Sequence, residues 1–246
     1  MRAATTPAAR PSAGAPTVSV YDTTLRDGAQ QQSVSFTVAD KLAVARLLDG
    51  LGVAYIEGGW PGAVPKDTEF FARARDELDL TASRLAAFGS TCRVGAAAEH
   101  DEQVRALIDS GAPVVTIVAK SDPLHVERAL RTTAAENLRM VRDTVGLLVA
   151  AGRETMVDLE HFFDGLSRDP RYGIEVALAA ARAGAGAVVA CDTNGGTLPG
   201  AVAAAVSRLR SALDEAGRPE CVVGIHTHDD AGLAVAGALA AVEAGA

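Results

Sequence analysis

The stretch LDGLGVAYIE at residues 48–57 contains, in order, the end of a helical pattern, a glycine and a short apolar run. The same order recurs in IDSGAPVVTIV at residues 108–118 and in ARAGAGAVVA at residues 181–190. Glycine ends helices well because it adopts the left-handed conformation without a Cβ penalty. Each stretch therefore predicts a helix that ends at a glycine and is followed at once by a strand.

Working outward from these stretches, apolar runs and helical patterns alternate from Val18 to the last residue. The predicted strands are residues 18–23, 53–57, 85–89, 114–119, 155–160, 187–191 and 222–226. The predicted helices are residues 38–51, 69–78, 99–110, 134–151, 174–183, 201–216 and 232–243. The strands recur at roughly the 30-residue interval of a βαβ unit, which predicts a parallel sheet covered by helices. A closed barrel and an open doubly wound sheet both fit this pattern, although no GxGxxG motif follows the first strand.

The composition excludes several classes of protein. Of the 246 residues, 48% are hydrophobic and 22% are charged, which is typical of a globular α/β chain. The net charge of −8, without a basic cluster, argues against nucleic-acid and anionic-membrane partners. The three cysteines are far apart and no apolar stretch reaches the roughly 20 residues of a membrane span, so we expect a cytoplasmic protein without disulfides.

Residues 1–17 differ in composition from the rest of the chain. They are rich in Ala, Pro and Thr, and they contain no acidic residue. We expect a disordered tail there, followed by a single domain at residues 18–246. An organellar transit peptide shares the lack of acids, but the prolines in this segment oppose an amphipathic helix.

Polar residues collect at the carboxyl ends of the predicted strands, where parallel α/β proteins bind their ligands. The motifs are YDTTLRDGAQ (21–30), IEGGWPG (56–62), FGSTCR (88–93), AKSD (119–122), VDLEHFF (157–163), CDTNGG (191–196) and GIHTHDD (224–230). His226 and His228 project from the same face of an extended segment. Two converging imidazoles and a carboxylate suit a divalent transition metal, and a structural role for the histidines stays equally open here.

Other rim residues each have a functional and a structural interpretation. Asp27 could ligate a metal and Arg26 could bind an oxyanion, or the two could form a surface ion pair. Glu160 could act as or position a general base, or be a structural acid in a salt bridge. Thr193 could bind a substrate carboxylate, or it could stabilise a turn with Asp192. We expect Asp229 and Asp230 to be the N-cap and first-turn acids of the following helix. We expect Lys120 and Ser121 to be exposed to solvent at the rim.

Taken in this order, the motifs resemble a superfamily of metal-dependent acyltransferases and lyases that includes 2-isopropylmalate synthase, homocitrate synthase, citramalate synthase and hydroxymethylglutaryl-CoA lyase. The resemblance covers all but the tail. YIEGGWPGAVPKD (55–67), EHFFDG (160–165) and CDTNGGTLP (191–199) are most similar to the citramalate synthase branch. The resemblance implies a (β/α)8 TIM barrel, which favours the closed barrel over the open doubly wound sheet.

The resemblance also implies a reaction. It is a Claisen-type condensation of acetyl-CoA with pyruvate that gives citramalate and CoA, in isoleucine biosynthesis. The implied cofactor is a divalent cation, with Mg, Mn, Zn and Co all compatible with the ligand types. The implied roles are metal ligation by Asp27, His226 and His228, oxyanion stabilisation by Arg26, carboxylate binding by Thr193 and proton abstraction assisted by Glu160.

The sequence departs from this superfamily in the number of repeats. It holds seven predicted βα units where the family has eight, so the family's further Asn ligand and its C-terminal subdomains lie outside these 246 residues. We therefore expect unpaired edges on the first and seventh strands, which favour aggregation. The full-length form is expected to be a homodimer. The alternative functions are a 2-isopropylmalate synthase or lyase of the same superfamily, or a catalytically inactive fragment.

Overall fold

The computed structural model describes residues 18–246, so the tail predicted at residues 1–17 lies outside the described residues. Strands and helices alternate along the described part of the chain. The strands are β1 (Tyr21–Asp22), β2 (Tyr55–Gly59), β3 (Arg84–Ser90), β4 (Val114–Lys120), β5 (Glu154–Glu160), β6 (Ala187–Asp192) and β7 (Val222–Thr227). The helices are α1 (Val38–Leu51), α2 (Pro65–Glu77), α3 (Glu102–Asp109), α4 (Pro123–Arg128), α5 (Ala134–Ala150), α6 (Phe162–Arg168), α7 (Tyr172–Arg182), α8 (Pro199–Glu215) and α9 (Ala234–Glu243).

The strands of residues 18–246 form one parallel sheet in the order β1-β2-β3-β4-β5-β6-β7. The sheet is strongly curled, because the Tyr21 hydroxyl of β1 lies 2.7 Å from Thr116 Oγ1 of β4 across its concave side. The two ends also approach each other, since Asp27 after β1 lies within 3.4 Å of His226 in β7. The predicted barrel topology is therefore confirmed as a curled half-barrel. Within residues 18–246, β1 and β7 are its unpaired edges, as expected.

The local signals that predicted the helices are present in the structure. Gly52 ends α1 in the left-handed region at φ 81°, and its N–H donates to the Asp49 and Leu48 carbonyls. Thr37 begins the same helix with a reciprocal capping box, in which Asp40 accepts from the Thr37 N–H. Helix α1 consequently has the predicted bounds.

Several elements differ from the prediction. Strand β1 has two paired residues rather than six, since only Tyr21 and Asp22 are in register with β2. Helix α2 begins four residues early, at Pro65, since proline is favoured in the first helical turn. The short helices α4 and α6 were not predicted, because six or seven residues are too few to show a helical period.

The two faces of the sheet have different chemistry, and β5 shows the division clearly. Val157 and Leu159 are fully buried against the helices on the convex side. The alternate residues Asp158 and Glu160 are polar and face the concave side. The concave face is thus a polar surface that leads to the carboxyl ends of the strands. None of the helices between residues 18 and 246 combines the length and apolar character needed to cross a membrane.

Candidate metal centre and active site

Asp27, His226 and His228 converge at the carboxyl ends of the two edge strands. Asp27 Oδ2 lies 3.4 Å from His226 Nε2 and 3.6 Å from His228 Nε2. One ligand atom from each residue falls within 4.8 Å of the others. The same-face projection predicted for the two histidines is what allows both rings to face one carboxylate. A carboxylate with two imidazoles is a donor set that fits a divalent cation.

These three side chains form an electrostatically coupled group. The contact with His226 lowers the pKa of Asp27 to about 2, with a further contribution from Arg26. Burial alone would lower the pKa of His226, but the carboxylates of Asp158 and Asp27 raise it to about 12. Without a metal, the fold therefore holds a proton on the His226 ring at the position where a cation would bind.

Arg26 is mostly buried, and its guanidinium pairs with Glu57 as well as with Asp27. Its Nε donates to Glu57 Oε2 at 2.5 Å, and its Nη1 lies 3.6 Å from Asp27 Oδ1. The guanidinium also lies 3.8 Å from the centre of the Phe88 ring. Contacts with Glu57 and Phe88 fix the orientation of the guanidinium, and the Nη side remains directed to the rim near Asp27.

Glu57 is a buried acid beside Arg26 that the sequence interpretation did not single out. It is completely buried in β2 and accepts hydrogen bonds from Arg26 and from the Tyr21 hydroxyl at 2.9 Å. Burial raises the pKa of Glu57 to about 7, against the opposing effect of Arg26. Glu57 stands in the continuous run YIEGG, which reads as an ordinary core strand. The sequence does contain one signal for this role, which is an acid within an otherwise apolar β-strand. A buried carboxyl group there needs a hydrogen-bonding or charged partner.

Glu160 forms an ion pair with Lys120 at the ends of β5 and β4. The neighbouring Ser121 is completely buried, and its hydroxyl donates to the Glu160 carbonyl at 2.7 Å. The expectation of solvent exposure is therefore wrong for Ser121, because the register of β4 and β5 brings it beneath the rim. Lys120 is partly buried and paired, so it too differs from a freely solvated side chain.

Thr193 and Asp192 follow β6 and have separate partners. Thr193 Oγ1 accepts a hydrogen bond from the His161 N–H at 2.9 Å. The Asp192 carboxylate accepts from the Thr197 N–H at 3.0 Å and from the Thr197 hydroxyl at 2.8 Å, which ties together the two ends of the loop after β6. The N-cap and first-turn roles expected for Asp229 and Asp230 are wrong, because α9 begins only at Ala234, with Leu233 as its N-cap and no acid in its first turn. Asp229 instead accepts a hydrogen bond from the Ala234 N–H at 2.9 Å.

His161 is a second residue that the sequence interpretation missed. It has a left-handed backbone with φ 57°, directly after Glu160. Its ring stacks on His125 with a centroid distance of 3.9 Å, and its Nδ1 lies 3.5 Å from Asp164 Oδ2. His125 and His161 are 36 positions apart in the sequence, so only the packing of α4 against α6 brings the rings together.

An open cavity of about 660 Å³ lies on the concave side of the sheet. His226, Asp158 and Thr116 line it close to the metal centre, and Tyr55 and Glu154 line its opposite end. Of the three residues of the metal centre, His226 is the one that lines this cavity.

The family model described as HMGL-like matches residues 17–246. The chain belongs to the HMGL-like family. A (R)-citramalate synthase from Streptomyces coelicolor is 59% identical over 227 residues, which cover 92% of this chain and 41% of that protein. A (R)-citramalate synthase from Synechocystis is 47% identical over 229 residues, covering 92% of this chain and 42% of that protein. This HMGL-like chain thus spans about two fifths of the length of these relatives.

Solved structures agree with the HMGL-like fold. The hydroxymethylglutaryl-CoA lyase of Bacillus subtilis superposes with a TM-score of 0.73 at 19% identity, covering 93% of this chain and 74% of that one. The carboxyl transferase domain of Rhizobium etli pyruvate carboxylase superposes with a TM-score of 0.66 at 23% identity, covering 93% of this chain and 38% of that one. At these identities, the two structures establish the fold alone.

Proposed function

We propose that this chain is the catalytic barrel of a citramalate synthase, which condenses acetyl-CoA with pyruvate to give (R)-citramalate and CoA. The observation that carries the proposal is the 59% identity to a (R)-citramalate synthase over 92% of the chain. The convergence of Asp27, His226 and His228 beside the fixed Arg26 supports it. The citramalate would feed isoleucine biosynthesis, and the full-length protein would be a homodimer.

The metal ligands in this proposal are Asp27, His226 and His228. When bound there, a divalent cation (Mg, Mn, Zn or Co) supplies Lewis-acid polarisation of the keto group of the α-keto acid. A histidine ligand must be neutral, so a cation held there would replace the proton that the neighbouring carboxylates favour on the His226 ring.

Three other side chains act directly on the substrates in this proposal. Arg26 keeps its Nη donors aimed at the oxyanion that develops on the keto oxygen, because Glu57 holds its Nε. Thr193 accepts from the His161 N–H, which leaves its own hydroxyl hydrogen free to donate to the pyruvate carboxylate. Glu160 takes a methyl proton from acetyl-CoA, and its contact with Lys120 holds the carboxylate in place at the end of β5.

The proposed reaction balances without an external oxidant. Loss of the methyl proton to Glu160 gives an enolate, whose carbon attacks the keto carbon of pyruvate and forms the new C–C bond. The keto oxygen becomes an alkoxide beside Arg26 and is protonated to the hydroxyl group. Water then hydrolyses the thioester and releases CoA.

The test of this function is release of the CoA thiol from acetyl-CoA. We would assay the 246-residue chain and a chimera in which residues 18–246 replace the matching region of the Streptomyces relative. Pyruvate, 2-oxoisovalerate and 2-oxoglutarate are compared as keto acids. We expect turnover with pyruvate in the chimera. Preference for 2-oxoisovalerate would instead indicate a 2-isopropylmalate synthase, and a chimera inactive with all three would contradict the proposal.

The metal centre has its own test by titration of the purified chain with Co²⁺. We expect His228→Ala to weaken Co²⁺ binding at least tenfold, because it removes one of three ligands. His100→Ala is the matched control, since the side chain of His100 is 77% exposed. Within residues 18–246, Glu99 is its one salt-bridge partner. Unchanged Co²⁺ affinity in His228→Ala would show that the cation does not bind at this position.

A further inference from the structure

The buried carboxylate of Asp158 has no part in the function proposed above, although it lies against one of the proposed metal ligands. Its Oδ2 is 3.9 Å from His226 Nδ1. On the other side of the same ring, His226 Nε2 is 3.4 Å from Asp27 Oδ2. The two carboxylates therefore bracket the imidazole through its two different nitrogen atoms.

The surroundings of Asp158 leave it one basic partner. The residue is 8% exposed, and a buried carboxylate is unfavourable unless it is paired. Arg26 is engaged by Glu57 and Asp27. Among residues 18–246, His226 is the one basic side chain within 4.0 Å of the Asp158 carboxylate. The His226 contact is therefore the interaction that compensates the burial of this charge.

We propose that Asp158 is a positioning residue, whose carboxylate holds the Nδ1–H of His226 and so presents the Nε2 lone pair to the metal site between Asp27 and His228. This inference rests on the metal site of the proposed function. Metal-binding imidazoles commonly donate their second N–H to a carboxylate, which fixes both the tautomer and the orientation of the ring. A movement of about 1 Å brings Asp158 and His226 within hydrogen-bonding distance.

Asp158, Cys191 and His226 form a second possible metal-binding group, the inner group, because their ligand atoms also lie within 4.8 Å of one another. The geometry favours the positioning role. An ion in this inner group would use His226 Nδ1 and leave both Asp27 and His228 without a function.

The test is Co²⁺ titration of the 246-residue chain, followed by visible absorption. Asp158→Leu has the same branching at Cγ but no acceptor, and we expect it to weaken Co²⁺ binding by about 10- to 100-fold. Asp158→Asn keeps an acceptor oxygen in the same place, so it should recover part of that loss, which a role in packing alone would not predict. Cys191→Ser is the control for the inner group and should bind Co²⁺ within twofold of the parent.

Several outcomes would overturn the inference. The first is that Asp158→Leu binds Co²⁺ with an affinity within twofold of the parent. The second is that Cys191→Ser binds Co²⁺ more weakly and loses a thiolate-to-cobalt absorption band. That result would place the ion in the inner group of Asp158, Cys191 and His226. If Asp27→Asn and His228→Ala also bind Co²⁺ like the parent, the metal site of the proposed function has failed. If those two variants lose binding while Asp158→Leu retains it, only the present inference has failed.

A second measurement does not depend on whether Asp158→Leu folds. In the Zn²⁺-loaded parent with ¹⁵N-labelled histidine, the NMR spectrum reports which ring nitrogen of His226 carries the proton. We expect the proton on Nδ1 and the metal on Nε2. A proton on Nε2 would contradict the proposed role of Asp158.

Discussion

The carboxyl group of Glu57 shows how the concave side of the sheet changes the chemistry of one residue. Burial raises its pKa from the ordinary 4.5 to about 7, while Arg26 and the Tyr21 hydroxyl oppose that rise. Asp158 adds to it through its negative charge. Glu57 is therefore a carboxyl group that changes its charge near neutral pH while it holds the proposed oxyanion-binding arginine.

This shift predicts a pH-dependent stability. Between pH 4.5 and 7, the folded chain binds more protons at Glu57 than the unfolded chain does, so the free energy of unfolding falls as the pH rises through this window. The rise in the pKa of Glu57 from 4.5 to about 7 corresponds to about 3 kcal/mol in the free energy of unfolding. We expect the advantage of the parent over Glu57→Gln to shrink by up to that amount between pH 4.5 and 7.5 in urea denaturation. A difference that stays constant with pH would contradict the assigned shift.

At the scale of elements, one buried ion pair joins α1, β2 and α2. Lys41 is 2% exposed, and its Nζ donates to the Gly58 carbonyl at 2.8 Å and to the Asp67 carboxylate. The second oxygen of Asp67 accepts from the Trp60 N–H at 2.8 Å. Gly59 has to be glycine here, because its φ is 139° and a Cβ would collide with Asp67. These contacts fix the loop that follows β2.

Removing the cation from this pair should be costly. We expect Lys41→Met to lower the free energy of unfolding by about 3–5 kcal/mol, because it leaves the Asp67 carboxylate buried without a charge partner. Arg73→Met is the matched control, since the Arg73–Glu77 pair is exposed on α2 and contributes less than about 1 kcal/mol. Urea denaturation measures both variants. Equal losses would show that burial does not set the contribution of the Lys41 pair.

The elements also show how far local sequence signals reach. Helix α1 has the bounds that its glycine end and apolar pattern predicted, because capping depends on residues a few positions apart. The stacking of His125 on His161 and the burial of Ser121 could not be predicted in the same way. They depend on the register between β4 and β5 and on two short helices, which no local pattern specifies.

At the scale of the whole molecule, the open seam between β1 and β7 dominates the surface. Val20, directly before β1, and Val222, the first residue of β7, are 56% and 58% exposed. Exposed Leu47 and Leu51 on α1 and Val235 and Leu239 on α9 lie on the helices that follow these strands. Unpaired parallel edges with apolar side chains template contacts between chains.

We therefore expect the 246-residue chain to self-associate as its concentration rises. The double substitution Val20→Lys and Val222→Lys places a charge on each edge and should shift the mass measured by light scattering toward that of the monomer. Val94→Lys is the control, because Val94 is 45% exposed but follows β3, away from the seam. Equal effects of the edge and control substitutions would show that the edges do not drive association.

The sequence by itself determined the order of strands and helices, the parallel sheet and the set of rim motifs, because these depend on periodicity and on glycine ends within short windows. It also singled out Asp27, His226 and His228, since an HxH motif on an extended strand projects both rings to one side. Only the tertiary structure decided which charges pair. The pairing of β1 with β2 lets Glu57 hold Arg26, and the curl of the sheet brings Tyr21 to Thr116 and Asp158 to His226 across distances that no sequence period encodes.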